Sequence, residues 1–274
     1  MSHAVEIAFI GGGQMARCLV EGLLRRGTPP ARIAVADPLA NAREALATQL
    51  GVSVYAQAAD AVRQAPVWVL AVKPQVAHEV CQSLSMLAVR QRPQVISIMA
   101  GVTLASLQQW LGIDTVVRSM PNQPAAIGAG ITALHAAGVL DAGQRAQIEA
   151  VFSGAGATLW LHDEAQMDLV TAVAGSGPAY LCLLAEAMQH AAASRGLPAD
   201  TARQLVTQTL LGAARMLDET DLLPAQLRER VTSPGGTTEA AIAVLQQAGW
   251  PQQVDDAVAA ASARSRALAT PPAQ

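Results

Sequence analysis

The segment Ser233-Pro234-Gly235-Gly236-Thr237-Thr238 sets two adjacent glycines and the hydroxyls of Ser233, Thr237 and Thr238 directly ahead of an apolar, helix-patterned run, Glu239–Leu245. Gly235 and Gly236 open backbone angles closed to other residues and let a ligand approach the main chain. A helix that starts there presents unpaired N–H groups and a partial positive charge. The combination is a cradle for a small carboxylate. The same residues also spell an ordinary proline turn with a helix cap.

A second glycine cluster lies near the start of the chain. Val5–Ile10 reads as a buried strand that runs into Gly11-Gly12-Gly13-Gln14-Met15-Ala16 and then into a helical pattern reaching Arg26. This is G-x-G-x-x-A between a strand and a helix, the context a dinucleotide-binding turn requires. The first glycine makes the tight turn, the second lets a pyrophosphate approach, and the small Ala16 lets helix and strand pack closely. Asp37, 24 residues beyond Gly13, ends the second candidate strand. An acid there hydrogen-bonds a ribose 2′-hydroxyl and favours NADH, whereas Arg43 could meet the 2′-phosphate of NADPH. Both cofactors stay open, and Asp37-Pro38 can also simply start a turn.

Lys73 is the only lysine in the protein. In Ala71-Val72-Lys73-Pro74 it follows the C-terminal end of a candidate strand, where open α/β sheets place their ligand crevice. Arg118-Ser119-Met120-Pro121-Asn122-Gln123-Pro124 follows a strand end in the same way, with Asn122 facing cofactor or substrate. Gly175-Ser176-Gly177-Pro178-Ala179-Tyr180 is another glycine turn opening a helix; it either bends two crowded helices or faces the substrate. His3, His78, His135, His162 and His190 have no partner at a useful spacing, so surface or loop roles are expected. No cysteine or histidine spacing suggests a metal, and no nucleophile elbow points to a hydrolase.

Elements that alternate between sheet and helix must position these groups. Candidate strands are Val5–Ile10, Ile33–Ala36, Ser53–Tyr55, Val67–Val72, Gln94–Ile98, Thr115–Arg118, Gly130–Leu134 and Thr158–Leu161. Helical runs follow most of them, as in a parallel α/β sheet, and Asp141 reads as the N-cap of a helix reaching Phe152. Beyond His162 the strand signal stops. Helices are expected over Glu164–Ala174, Pro178–Arg195, Thr201–Glu219 with Asp200 as N-cap, Pro224–Val231, Thr237–Ala248 and Pro251–Ala269, with a loose tail at Thr270–Gln274. The boundaries expected are 1–162 for an α/β domain and 163–274 for an all-α domain. The helical half carries more apolar residues than one core needs, which predicts burial against a partner chain.

The composition agrees. Half the chain is hydrophobic (51%), only 14% is charged, and the net charge is −3 with no basic run, which argues against nucleic acid. The longest uncharged stretches, Ser119–Leu140 and Leu169–Ala185, are broken by prolines, glycines and polar residues, so neither reads as a membrane helix. No targeting segment is apparent. Cys18, Cys81 and Cys182 lie on helix-patterned runs and are expected to be buried small apolar residues.

Read together, the motifs resemble pyrroline-5-carboxylate reductase along nearly the whole chain. Gly11–Ala16 resembles the nucleotide loop of that family; Ala71-Val72-Lys73-Pro74-Gln75 and Ala100-Gly101-Val102 resemble its cofactor-side loops. Arg118–Asn122 is similar to its R-x-M-P-N segment, Gly175–Tyr180 to its GSGPAY turn, and Val231–Thr238 to its signature, the most specific match. The departures are Gln123, where threonine is common, and Arg230 beside the signature. The resemblance implies a Rossmann domain followed by a helical dimerisation domain, at least a homodimer and often a decamer of five dimers. It implies cytoplasmic reduction of 1-pyrroline-5-carboxylate to proline by NADPH or NADH, the last step of proline synthesis.

It also implies roles for individual residues. Gly11, Gly12, Gly13, Gln14, Met15, Asp37, Ala71, Val72, Lys73, Pro74 and Asn122 would meet the cofactor. Ser176, Gly177, Ser233, Gly235, Gly236, Thr237 and Thr238 would meet the substrate, whose carboxylate is expected on the N–H groups of Gly236, Thr237 and Thr238. Thr238 is the catalytic candidate, its hydroxyl bonding the ring nitrogen, with water as the proton source. Three other readings remain at this point: a hydroxyacid dehydrogenase, an imine reductase for a larger ring, and a nucleotide sensor without turnover. The first needs a lysine on the helical domain, which the single lysine, Lys73, does not supply.

Overall fold

A computed structural model describes residues 5–269 of the chain; His3 and the tail Thr270–Gln274 lie outside them. The chain forms two compact units. One comprises the described residues up to Gly175 together with those from Ala261 onward; the other is Ser176–Ala260.

The first unit is built on one sheet. Its strands are β1 (Ile7–Ile10), β2 (Ile33–Ala36), β3 (Ser53–Tyr55), β4 (Val67–Leu70), β5 (Gln94–Ser97), β6 (Val116–Met120), β7 (Gly130–Ala136) and β8 (Gly156–Trp160). Their spatial order is β3-β2-β1-β4-β5-β6-β7-β8. Helices α1 (Gln14–Arg25), α2 (Ala40–Leu50), α3 (Ala58–Val62), α4 (Ala77–Gln91), α5 (Leu104–Leu111), α6 (Ala142–Phe152) and α7 (Met167–Val170) accompany it. Each expected strand is present. Every residue of β2, β4 and β5 is buried, as in a sheet covered on both faces.

Alternation along the strands feeds two cores. Trp68 and Leu70 pack with Val95, Cys81, Leu84, Leu104, Leu107 and Leu111 on one face. Val67 and Val69 pack with Phe9, Leu19, Val20, Ile96, Val117 and Phe152 on the other. The sheet departs from the all-parallel expectation at one place: β7 runs antiparallel to β6, with Ser119 opposite Leu134. The connection from Met120 to Gly130 is shorter than the dozen or so residues a parallel crossover needs. β8 then returns parallel to β7 through α6. There Asp141 Oδ1 accepts the Gln144 N–H at 2.8 Å while Gln144 Oε1 accepts the Asp141 N–H at 2.9 Å, a reciprocal cap at the expected N-cap residue.

The stretch expected as one helix over Glu164–Ala174 is broken into a 3-10 turn at Glu164–Gln166, α7, and a π-turn at Thr171–Gly175. It belongs with the first unit although it follows the last strand. Met167 and Ala172 are fully buried, and Ser265 Oγ donates to Asp168 Oδ1 at 2.6 Å. Packing therefore carries the first unit past residue 162, where the strand signal ends.

The second unit holds α8 (Gly177–Ala193), α9 (Ala199–Asp218), α10 (Pro224–Arg230), α11 (Thr237–Gln247) and the start of α12 (Trp250–Ala269). The cap of α9 is Pro198 and not the expected Asp200: the Pro198 carbonyl accepts the Ala202 N–H at 2.9 Å, so the first turn closes ahead of the aspartate. Few side chains of this unit are buried, among them Ala202, Val206 and Leu227. Leu181, Leu183, Leu205 and Val244 are each more than half exposed, and Cys182, expected to be buried, is exposed as well. Among the described residues one helical run, Glu164–Ala193, is long and apolar enough to cross a membrane by length and composition alone.

Candidate functional site

A glycine turn opening a helix without a side-chain cap occurs in each unit. In the first, the strand order reverses between β1 and β4: the chain runs outward through β2 and β3, then crosses to β4. Ligands of open α/β sheets bind at such a switch point, beyond the C-terminal strand ends. Gly11–Gly13 leave β1 there, and Ala71–Pro74 leave β4.

The three glycines of the first turn are there for different reasons. Gly11 has φ +102°, and a Cβ on it would lie 2.6 Å from the Ala71 carbonyl oxygen, so the two loops close only over glycine. A Cβ on Gly12 would meet Leu46 Cδ1 at 2.7 Å and the Asp37 carboxylate. At Gly13 a Cβ would meet no protein atom within 4 Å; the space above it is open. Gly13 is the N-cap of α1 with no side-chain cap, and the first intrahelical bond goes to Arg17 N–H. The N–H groups of Gly13, Gln14, Met15 and Ala16 therefore have no partner among the described residues. Open space over a glycine at the positive end of a helix fits a pyrophosphate.

Asp37 sits beside this turn. Its Oδ2 accepts the Gly12 N–H and its Oδ1 the Leu39 N–H, both at 2.9 Å. Arg43 Nη1 donates to the carbonyls of Asp37 and Pro38, both at 2.8 Å. Lys73 is exposed, caps the short turn Pro74–Val76, and makes no ion pair among the described residues. Ala71 and Val72 are half-buried behind it, and the Ala71 N–H donates to Ile10 O at 2.8 Å.

The Asn122 side chain is held by main chain at both amide atoms. Its Oδ1 accepts the Ile131 N–H at 2.9 Å and its Nδ2 donates to Ala174 O at 3.1 Å, so its amide links β7 to the π-turn. Arg118 is buried and donates to Glu164 Oε1 at 2.8 Å, and the same oxygen accepts the Leu104 N–H at 2.8 Å. Glu164 is 46 residues from Arg118, and no local pattern in the sequence announces the pair. The histidines are not all loose: His135 Nδ1 lies 3.0 Å from Leu161 O, and His78 stacks edge-on against Trp110.

In the second unit, Ser233–Thr238 forms the expected turn into α11. Gly235 has φ +70°, which favours glycine, and Gly236 is the N-cap. One of the three expected donors, Gly236, is taken, and so is its neighbour Gly235. The Gly236 N–H donates to Ser233 O at 3.0 Å, and the Gly235 N–H to Glu239 Oε2 at 2.7 Å. That leaves the N–H groups of Thr237, Thr238 and Glu239 without partners among the described residues, beside the threonine hydroxyls. The sequence reading missed Glu239; its signal is an acid in the first turn of the helix, four residues after Gly235. Ser176 is the N-cap of α8 without a side-chain cap bond, and a Cβ on Gly177 would meet nothing within 4 Å.

Two family models match the chain. Pyrroline-5-carboxylate reductase dimerisation covers residues 164–268, and NADP oxidoreductase, coenzyme F420-dependent, covers residues 6–101. A pyrroline-5-carboxylate reductase of Pseudomonas aeruginosa is 47% identical over 96% of this chain and 97% of its own length. The structure of the reductase from Coxiella burnetii superposes with a TM-score of 0.92 at 39% identity, covering 98% of this chain and all of that one. That of the Plasmodium falciparum enzyme, solved with NADP bound, gives 0.86 at 25% identity over 98% of this chain and all of that one. With such agreement in sequence from end to end, and in fold, this chain belongs to the pyrroline-5-carboxylate reductase family.

Proposed function

We propose that the protein reduces 1-pyrroline-5-carboxylate to L-proline with NADPH or NADH. The observation that carries this reading, beside the family, is the pair of uncapped helix starts: α1 behind Gly13 and α11 behind Gly236, each with free N–H groups. One suits a pyrophosphate, the other a small carboxylate.

In this reading Gly11–Met15 seat the pyrophosphate, Asp37 takes the adenosine ribose, and Ala71, Val72, Lys73 and Pro74 form the wall beside it. Asn122 holds the β7 and π-turn backbone in place through its two bonds. When bound, the nicotinamide supplies the hydride for the imine carbon. The N–H groups of Thr237 and Thr238 fix the substrate carboxylate, with Gly235 and Gly236 shaping the turn and the Ser233 hydroxyl at its edge. Thr238 Oγ1 bonds the ring nitrogen, and Ser176 and Gly177 leave room for the ring. A protonated imine is a good hydride acceptor, so the residues mainly orient two reactants. Water relays the proton.

Residues 1–162 act as the nucleotide domain and 163–274 as the substrate and dimerisation domain, a functional division that differs from the packing, in which 163–175 and the residues from Ala261 onward go with the first unit. Exposed Leu181, Leu183 and Leu205 are then covered in a homodimer, and the decamer is five such dimers. The same burial accounts for the apolar run Glu164–Ala193, which Ser176, Gly177 and Pro178 interrupt, without a membrane. The enzyme works in the cytoplasm, with a small molecule and no nucleic acid as partner. The test is cofactor oxidation by the purified protein with 1-pyrroline-5-carboxylate and quantified proline. Stoichiometric proline is expected; nucleotide binding without proline would move the assignment to another cyclic imine or to a sensor.

A further inference from the structure

Asp37 lies where the nucleotide's adenosine ribose is read in this fold, and its surroundings decide which nucleotide fits. Its carboxylate is held from two sides, by the Gly12 N–H and the Leu39 N–H. Two main-chain donors fix its position and leave each oxygen a further lone pair to accept from a hydroxyl. Leu46 crowds the same corner, because a Cβ on Gly12 would meet both Leu46 Cδ1 and Asp37. The carboxylate therefore cannot swing away without giving up the bond that shapes the glycine turn.

The neighbouring cation does not stand free to offset it. Arg43 Nη1 is turned onto the carbonyls of Asp37 and Pro38, where it makes two 2.8 Å bonds. It reinforces the loop that presents the acid. A 2′-phosphate set against this carboxylate meets like charge, and relief requires Arg43 to abandon both carbonyls. A 2′-hydroxyl instead finds an acceptor already oriented.

We infer that Asp37 makes this protein an NADH-preferring member of its family, and that Arg43 is a positioning residue for Asp37, not a 2′-phosphate receptor. The inference rests on the nucleotide-site reading above and goes beyond it, since that reading leaves the two cofactors equal.

The test needs no turnover. Calorimetric titration of the full-length protein with ADP-ribose and with 2′-phospho-ADP-ribose reads the preference directly. The unphosphorylated ligand is expected to bind about tenfold or more tightly, as like-charge juxtaposition costs that much or above. Asp37→Ser is expected to erase or reverse the ratio. Asp37→Asn keeps the shape and one carbonyl acceptor while removing the charge; it should shift the ratio in the same direction and serves if Asp37→Ser folds poorly. Arg43→Ala should weaken both ligands alike. Equal or tighter binding of the phosphorylated ligand to the unaltered protein, or a selective loss of that ligand in Arg43→Ala, would overturn the inference and leave the reductase reading intact. Failure of both ligands to bind would remove the nucleotide site itself.

Discussion

In the first unit β2, β4 and β5 are buried at every residue; in the second, neither α8 nor α11 contains a buried residue. The two units have much the same appetite for apolar side chains but dispose of them differently. The first closes a sheet between two layers of helix and fills both cores from its own sequence. The second presents Leu181, Leu183, Leu205 and Val244 outward. The difference teaches where self-sufficiency ends: one unit is finished by its own chain, the other by a second copy.

The hardest blow to that comparison is a charge on α8. Leu183→Asp is expected to cost about 2–4 kcal/mol at each of two symmetry-related positions, enough to dissociate a micromolar dimer. Light scattering behind gel filtration should show the mass fall to that of one chain, with activity lost alongside. An unchanged mass would mean that α8 is not finished by a partner.

The glycine turns sharpen the comparison, because one is keyed into the sheet and the other is not. Gly11→Ala puts a side chain at φ +102° and against the Ala71 carbonyl. A loss of about 1–3 kcal/mol of stability from strain is expected, with nucleotide affinity falling in parallel. Thermal unfolding with and without nucleotide checks both. Thr238→Ala lies on the open turn and should leave Tm unchanged while kcat/KM drops about 10–100-fold, one hydrogen bond to a charged group. Unaltered kinetics would remove Thr238 from the chemistry.

The smallest effect is the control. Met86 on α4 is 86% exposed, more so than Leu183 at 68%. If exposure alone marked an interface, Met86→Asp would matter as much. It is expected to change stability by no more than about 0.5 kcal/mol and to leave the mass unaltered, because the first unit needs no cover there.

Much of this was legible in the residues because the relevant signals are local. Short runs of three to six residues marked each strand, and Asp141 marked the start of its helix. What stayed hidden depends on groups far apart or on geometry. The direction of β7 follows from a connection too short for a crossover. Cys182 reads as a core residue by pattern, yet its helix has no core of its own. Gly236 looked like a donor to the substrate until its N–H was found on Ser233 O, and Gly235 was already bound to Glu239. Arg118 and Glu164 meet only because β6 and the turn after β8 share one end of the sheet. The Asn122 amide is engaged by Ile131 N–H and Ala174 O, partners 9 and 52 residues away that no local pattern announces.

The bond from Ser265 to Asp168 has a consequence for how the protein is made. Its partners are 97 residues apart, and the whole helical unit lies between them in the chain. Synthesis proceeds from the N-terminus, so the sheet can assemble early while Asp168 waits for the last helix to emerge. The first unit is thus not sealed until the chain has been made as far as Ser265. Chains halted within residues 176–260 carry an unfinished first half as well as a missing second one.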